Sequence, residues 1–89
     1  MMEYKVADRE FRDESGKLRQ FHYYVTVDPV ETPNFFCETY GVHIREDPDN
    51  EASVHAVTTS ATRIDELMSI LIENLVGPTT LRDTVDDWL

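Results

Sequence analysis

Cysteine is nearly absent from this chain: Cys37 stands alone among 89 residues, which excludes an internal disulfide and fits a reducing compartment. Glycine is scarce too, and three of them cannot make a glycine-rich phosphate loop. Positive charge is in short supply, with eight Lys and Arg against eighteen Asp and Glu, a formal net charge of −10. The acidity is distributed, −6 over residues 1–60 and −4 over 61–89, so it is not a tail. Such a balance repels phosphate backbones and anionic lipid, and neither nucleic acid nor a membrane surface is an expected partner. No apolar run approaches the ~20 residues that cross a bilayer. Met1-Met2-Glu3-Tyr4-Lys5 has no apolar stretch of signal-peptide type, so the expected location is cytoplasmic.

What the chain does have is clearest in its last thirty residues. Ile64, Leu67, Met68, Leu71 and Leu75 recur at the three-and-four spacing of one helix face, with Asp65, Glu66, Ser69 and Glu73 on the other. Burying five such side chains contributes about 8 to 15 kcal/mol, so a helix over 61–76 is expected to anchor the domain. Thr59, Ser60 and Thr62 can cap its start. Gly77, through a left-handed cap, and Pro78, through its missing donor, are expected to stop it. A second helix over 79–89 carries Leu81, Val85 and Trp88 on one side, with Thr79 or Thr80 as its cap. It is too short to persist undocked.

The first two thirds have the character of a sheet. Strands are expected over 3–11, 18–27, 34–45 and 52–58, the first two joined through Asp13-Glu14-Ser15-Gly16-Lys17. Pro29 and Pro33 are expected to break pairing after residue 27. Eighty-nine residues make one domain. The fold expected is α+β: a four-stranded, mostly antiparallel sheet of consecutive strands with two C-terminal helices packed on one face.

Alternation assigns the faces. Phe21, Tyr23, Val25 and Val27 share one side of the second strand, and Phe36, Tyr40, Val42 and Ile44 one side of the third, where they should meet the helices. Neighbours in a strand point oppositely, so the doublets Tyr23-Tyr24 and Phe35-Phe36 put aromatics on both faces. The second face would then hold His22, Tyr24, Phe35, Cys37 and His43, a surface that invites cover by another chain.

Catalytic and metal chemistry finds no footing. Cys37, His22, His43 and His55 are the available zinc ligands, but Cys37 and His43 lie six residues apart in one strand, about 20 Å at ~3.4 Å per residue, and cannot share one ion unless a bulge at Gly41 folds the strand. Asp47-Pro48-Asp49-Asn50-Glu51 alternates oxygens in the manner of a calcium loop, but Ala52 and Thr58 occupy the positions that need Gly and a bidentate Glu. No serine, cysteine or carboxylate pair is placed for nucleophilic or acid–base work by spacing alone. No cofactor and no catalytic or metal-binding residue is expected.

Tyr40-Gly41-Val42-His43-Ile44, the Thr58-Thr59-Ser60 lead into the first helix, and the stretch from Val76-Gly77-Pro78 to Asp87-Trp88-Leu89 resemble small uncharacterised proteins of clostridia-like Gram-positive bacteria. The resemblance covers about half the chain. It implies a bacterial, cytoplasmic, non-secreted protein of a family without assigned activity, and carries over no functional residue.

The function expected is therefore a small acidic, non-enzymatic protein-interaction domain. It would form a homodimer or bind a protein partner through the face holding His22, Tyr24, Phe35, Cys37 and His43. The alternative is a small enzyme or ligand-binding protein with a pocket between sheet and helices and Cys37 or His55 as its reactive group. Acidic mimicry of nucleic acid would need carboxylates arrayed on one surface, and theirs are scattered through turns.

Overall fold

The computed structural model describes residues 1–89. Four strands, β1 (Met2–Arg12), β2 (Leu18–Thr32), β3 (Phe35–Glu46) and β4 (Asn50–Thr58), precede helices α1 (Ala61–Glu73) and α2 (Leu81–Trp88), the latter entered through a single 3-10 turn, Pro78–Thr80. The sheet is an antiparallel meander in the order β1-β2-β3-β4, and both helices follow it in the chain, as expected of an α+β fold.

One buried cluster holds the layers together. Phe21 and Tyr23 from β2 and Val42 and Ile44 from β3 meet Ile64, Leu67, Met68 and Leu71 of α1, with Leu81 and Val85 of α2 closing the end. Tyr23 is fully buried, and its hydroxyl donates to the Val76 carbonyl at 2.9 Å. That bond ties the centre of the sheet to the segment between the helices.

Helix α1 starts where the hydroxyls predicted: Ser60 is its cap and accepts from the Arg63 N–H at 3.2 Å. It stops earlier than residue 76, and not at glycine. Leu75 takes the left-handed conformation, φ 51°, while the Val76 N–H reaches the Leu71 carbonyl and the Leu75 N–H the Ile72 carbonyl. This is the paired-bond helix ending usually built on glycine. Gly77 is instead extended, φ −103° and ψ 179°. Its lack of a side chain serves packing, because a Cβ there would lie 2.7 Å from Cζ of Phe21. Thr80 makes no side-chain cap to α2, whose entry is shaped by Pro78 at the start of the 3-10 turn.

Two irregularities shape the sheet. Val6 is an extra residue in β1, so that Lys5 pairs with Tyr24 but Ala7 with Tyr23. In β4 three residues, His55, Ala56 and Val57, span the single position of Gly41, since Val42 pairs with Val54 and Tyr40 with Thr58. Ala56 adopts φ 56° in this bulge. Gly41 makes room for it: a Cβ on Gly41 would lie 2.3 Å from the Val54 carbonyl oxygen and 2.8 Å from His55 Cα.

The largest departure from expectation is at the prolines. Strand β2 does not end at residue 27 but continues through Pro29 to Thr32, and turns at Pro33-Asn34 into β3 with Thr32 opposite Phe35. Beyond the Met2–Val27 pair β1 has run out, so β2 is an edge strand there, where proline is tolerated. Beyond the Tyr40–Thr58 pair β4 has run out too. Residues 28–39 are thus a two-stranded arm projecting past the body, and the molecule measures 54 × 24 × 18 Å.

Candidate functional site

The pairing of β2 with β3 is regular from Phe21–Glu46 to Thr32–Phe35, so faces can be followed along its whole length. His22, Tyr24, Thr26, Asp28, Val30 and Thr32 lie on the side away from the helices, with Arg45, His43, Gly41, Thr39, Cys37 and Phe35 opposite them. All five residues singled out from the sequence, His22, Tyr24, Phe35, Cys37 and His43, therefore share one face. They occupy two distinct regions of it.

Over the body of the sheet the face is a lattice of imidazoles and carboxylates. His22, only 7% exposed, sits between Asp8 on Nδ1 at 2.5 Å and Asp47 on Nε2 at 3.1 Å. His43 stacks on Tyr24 with ring centroids 5.3 Å apart, with Glu3 3.0 Å from Nδ1 and Glu51 3.5 Å from Nε2. The Arg45 guanidinium lies 5.8 Å from the centre of the Tyr24 ring. The Lys5 ammonium, 2.9 Å from Asp8, is the first cause holding the Asp8 carboxyl below its usual range, and the hydrogen bond with His22 is the second. Asp8 reaches His22 because of the Val6 bulge, which shifts the β1 register by one and places Lys5 and Asp8, three apart, on the same face. This lattice was not legible from spacing, since it depends on that shift.

Over the arm the same face turns apolar: Val30, Cys37 and Phe35 follow one another, and Phe35 is 55% exposed. On the reverse side lie Pro29, Glu31, Glu38 and Phe36. Phe36 was expected against the helices, but the helices do not extend this far, and it is 62% exposed. At the root of the arm His55, thrown out by the β4 bulge, contacts Asp28 at 3.0 Å.

The two residues named for the alternative lie in the arm and at its root. His55 is engaged by Asp28, and Cys37 sits opposite Val30 in the arm. The two depressions in the surface, about 230 and 280 Å³, lie at the far end of the sheet among Lys17, Arg19, Glu46 and Asp47, not between sheet and helices. There Arg19 and Glu46 form a two-bond ion pair at 2.6 and 2.7 Å, and that contact holds the Glu46 carboxyl below its ordinary value. No group of three or more His, Cys, Asp or Glu converges in an arrangement able to hold a metal ion, and no helix is long and apolar enough to cross a membrane.

No curated protein and no solved structure matches this chain. A family of unknown function, DUF6514, matches residues 2–89, and the chain belongs to it.

Proposed function

We propose that this chain is a non-enzymatic protein-interaction domain of the bacterial cytoplasm whose contact element is the arm of residues 28–39. The face holding Val30, Phe35 and Cys37 is its apolar end, and His22, Tyr24 and His43 form its polar base. One observation carries the reading: Phe35 and Phe36 stand 55% and 62% exposed at the tip of a two-stranded extension that runs beyond the pairing of β1 and β4. At 150 to 250 Å² per aromatic side chain, the two rings leave about 230 Å² of apolar surface in water. Covering it would contribute roughly 6 kcal/mol before the cost of association. The fold gains little from those rings, since the buried cluster ends before the arm begins.

The experiment is a paired capture. The chain and its Phe35→Asp/Phe36→Asp double variant serve as baits in extract of the cell that makes the protein, with retained proteins quantified by mass spectrometry. At least one protein should be held by the unmodified bait and be depleted about tenfold on the variant. Identical sets on the two baits would refute the reading.

A further inference from the structure

The arm leaves more than two aromatic rings uncovered. Residues 35–39 of β3 pair with β2 on one side, and on the other side β4 has already ended at Thr58. Their outward N–H and C=O groups continue the track that β4 occupies farther along. Apart from the ladder, the backbone of this segment receives one side-chain bond, from the Thr32 hydroxyl to the Phe35 carbonyl at 3.3 Å. The opposite edge of the arm, along β2, is poorer in donors because it contains Pro29. A bare, proline-free edge is a template for one more strand.

Phe35 and Phe36 point to opposite faces, so a partner laid flat on the arm covers one ring and leaves the other wet. A strand added along the outer edge of β3 places side chains beside both. The two faces differ in charge. On the reverse side the added strand would run beside Glu38 and Phe36, with Glu31 across the ladder; on the other side it would run beside Phe35, Cys37 and Thr39. The arm's charged residues are Asp28, Glu31 and Glu38, and it has no cation; Asp28 is engaged by His55.

We infer that the arm receives an extended segment of another protein, added as a strand beside residues 35–39 and alternating basic with apolar residues. This inference rests on the interaction reading above and gives its partner a chemistry. A second copy of this chain suits the site poorly. Of its eight Lys and Arg, Lys5, Arg19 and Arg45 face Asp8, Glu46 and Asp47. Arg9 and Arg12 donate to the Ile72 and Gly16 carbonyls, Arg63 covers the Trp88 ring, and the remaining two, Lys17 and Arg82, lie in the β1–β2 turn and in α2, not on a strand that could add to the edge. With a net charge of −10 per copy, self-pairing would also bring like charges together.

A displayed library of random ten-residue peptides, selected on the full-length chain and counter-selected on Phe36→Asp, tests this. Enriched peptides should alternate Lys or Arg with apolar residues. Single backbone N-methylations along one of them should weaken binding at every second position, the mark of a ladder, and amide shifts should concentrate at residues 35–39. Glu38→Lys, a solvent-side change outside the core, should weaken a basic peptide about five- to tenfold. No enrichment over Phe36→Asp, or enriched peptides without cations, would overturn the inference. A methylation scan without the two-residue period would overturn the added strand while leaving an arm-dependent partner from the capture experiment intact. A mass that doubles with concentration in light scattering, with shifts at the same amides, would assign the edge to a second copy and overturn the basic partner.

Discussion

Tyr23 allows the packing account to be tested with one oxygen atom. Its phenol is fully buried, donates to the Val76 carbonyl at 2.9 Å, and is pushed by burial from 10.0 to about 12. Tyr23→Phe keeps the ring and leaves the carbonyl without its donor, a change that costs about 1 to 2 kcal/mol. In urea, with a slope near 1 kcal/mol per molar for a domain of this size, the midpoint should fall by about 1 to 2 M at pH 7. The pH dependence is more telling. Between pH 10 and 12 the unfolded phenol loses its proton before the folded one does, so the unfolded state binds fewer protons and stability falls as pH rises. At pH 11 the unfolded state gains about 1.4 kcal/mol from ionisation, and the folded state almost none. The variant has no phenol at this position and escapes that loss. The two proteins should therefore converge near pH 11, while contributions from Tyr4, Tyr24, Tyr40 and the lysines cancel in the difference. A gap that stays constant from pH 7 to pH 11 would refute the buried, neutral phenol and the tie it makes to Val76.

Other perturbations separate the parts of the fold. Gly41→Ala should cost about 3 kcal/mol or more, because its Cβ would meet backbone at the Val54 carbonyl, 2.3 Å away; a thermal midpoint within a few degrees of the parent would contradict the β4 bulge. Gly77→Ala meets the Phe21 ring, 2.7 Å away, and should cost about 1 to 3 kcal/mol, with the near-ultraviolet signal of the aromatics changed. Glu46→Gln should destabilise by about 1 kcal/mol at neutral pH. Because Arg19 holds Glu46 below its usual 4.5, that contribution is present above about pH 4.5 and is lost as pH falls through the lowered folded value. Melting curves of parent and variant should then merge in acid, and a gap that persists at pH 2 would count against the ion pair. Phe35→Ser/Phe36→Ser should change stability by less than about 0.5 kcal/mol. A large loss would mean that the arm belongs to the fold and not to a contact surface.

The order of strands and helices was legible because each element repeats its own period: two residues in β2 and β3, three and four in α1. The same alternation also placed His22, Tyr24, Phe35, Cys37 and His43 on one face. Where reading by residue type failed, tertiary context had reassigned the residue. Gly77 has the composition of a helix cap and works as a gap for the Phe21 ring, while Leu75 makes the left-handed turn. Non-glycine residues bear roughly 1 to 2 kcal/mol in that conformation, and the chain tolerates it where two backbone bonds close the helix end. Pro29 reads as a strand breaker in isolation. It is compatible with a strand once β1 ends at Met2 and the neighbouring edge is open.

The bulges explain why the fold could be read farther than the site. Fold class follows from periodicity, and one inserted residue does not erase periodicity. Cross-strand partners follow from register, and one inserted residue changes every partner beyond it. With Val6 in register, position 22 would face Ala7; with Val6 bulged, His22 faces Asp8 and Lys5 comes within an ion pair of the same carboxylate. With His55, Ala56 and Val57 crowded against Gly41, His55 reaches across to Asp28 at the root of the arm. Neither displacement leaves a mark in composition, since Val6 and Ala56 are unremarkable for strands. The charged lattice over the sheet body, and with it the contrast between a base whose imidazoles face carboxylates and an uncovered tip, is a property of register. That contrast is why the proposed contact element is the arm and not the whole second face. The imidazoles over the body already have carboxylate partners within the chain, whereas Phe35 and Phe36 have none of any kind in the core.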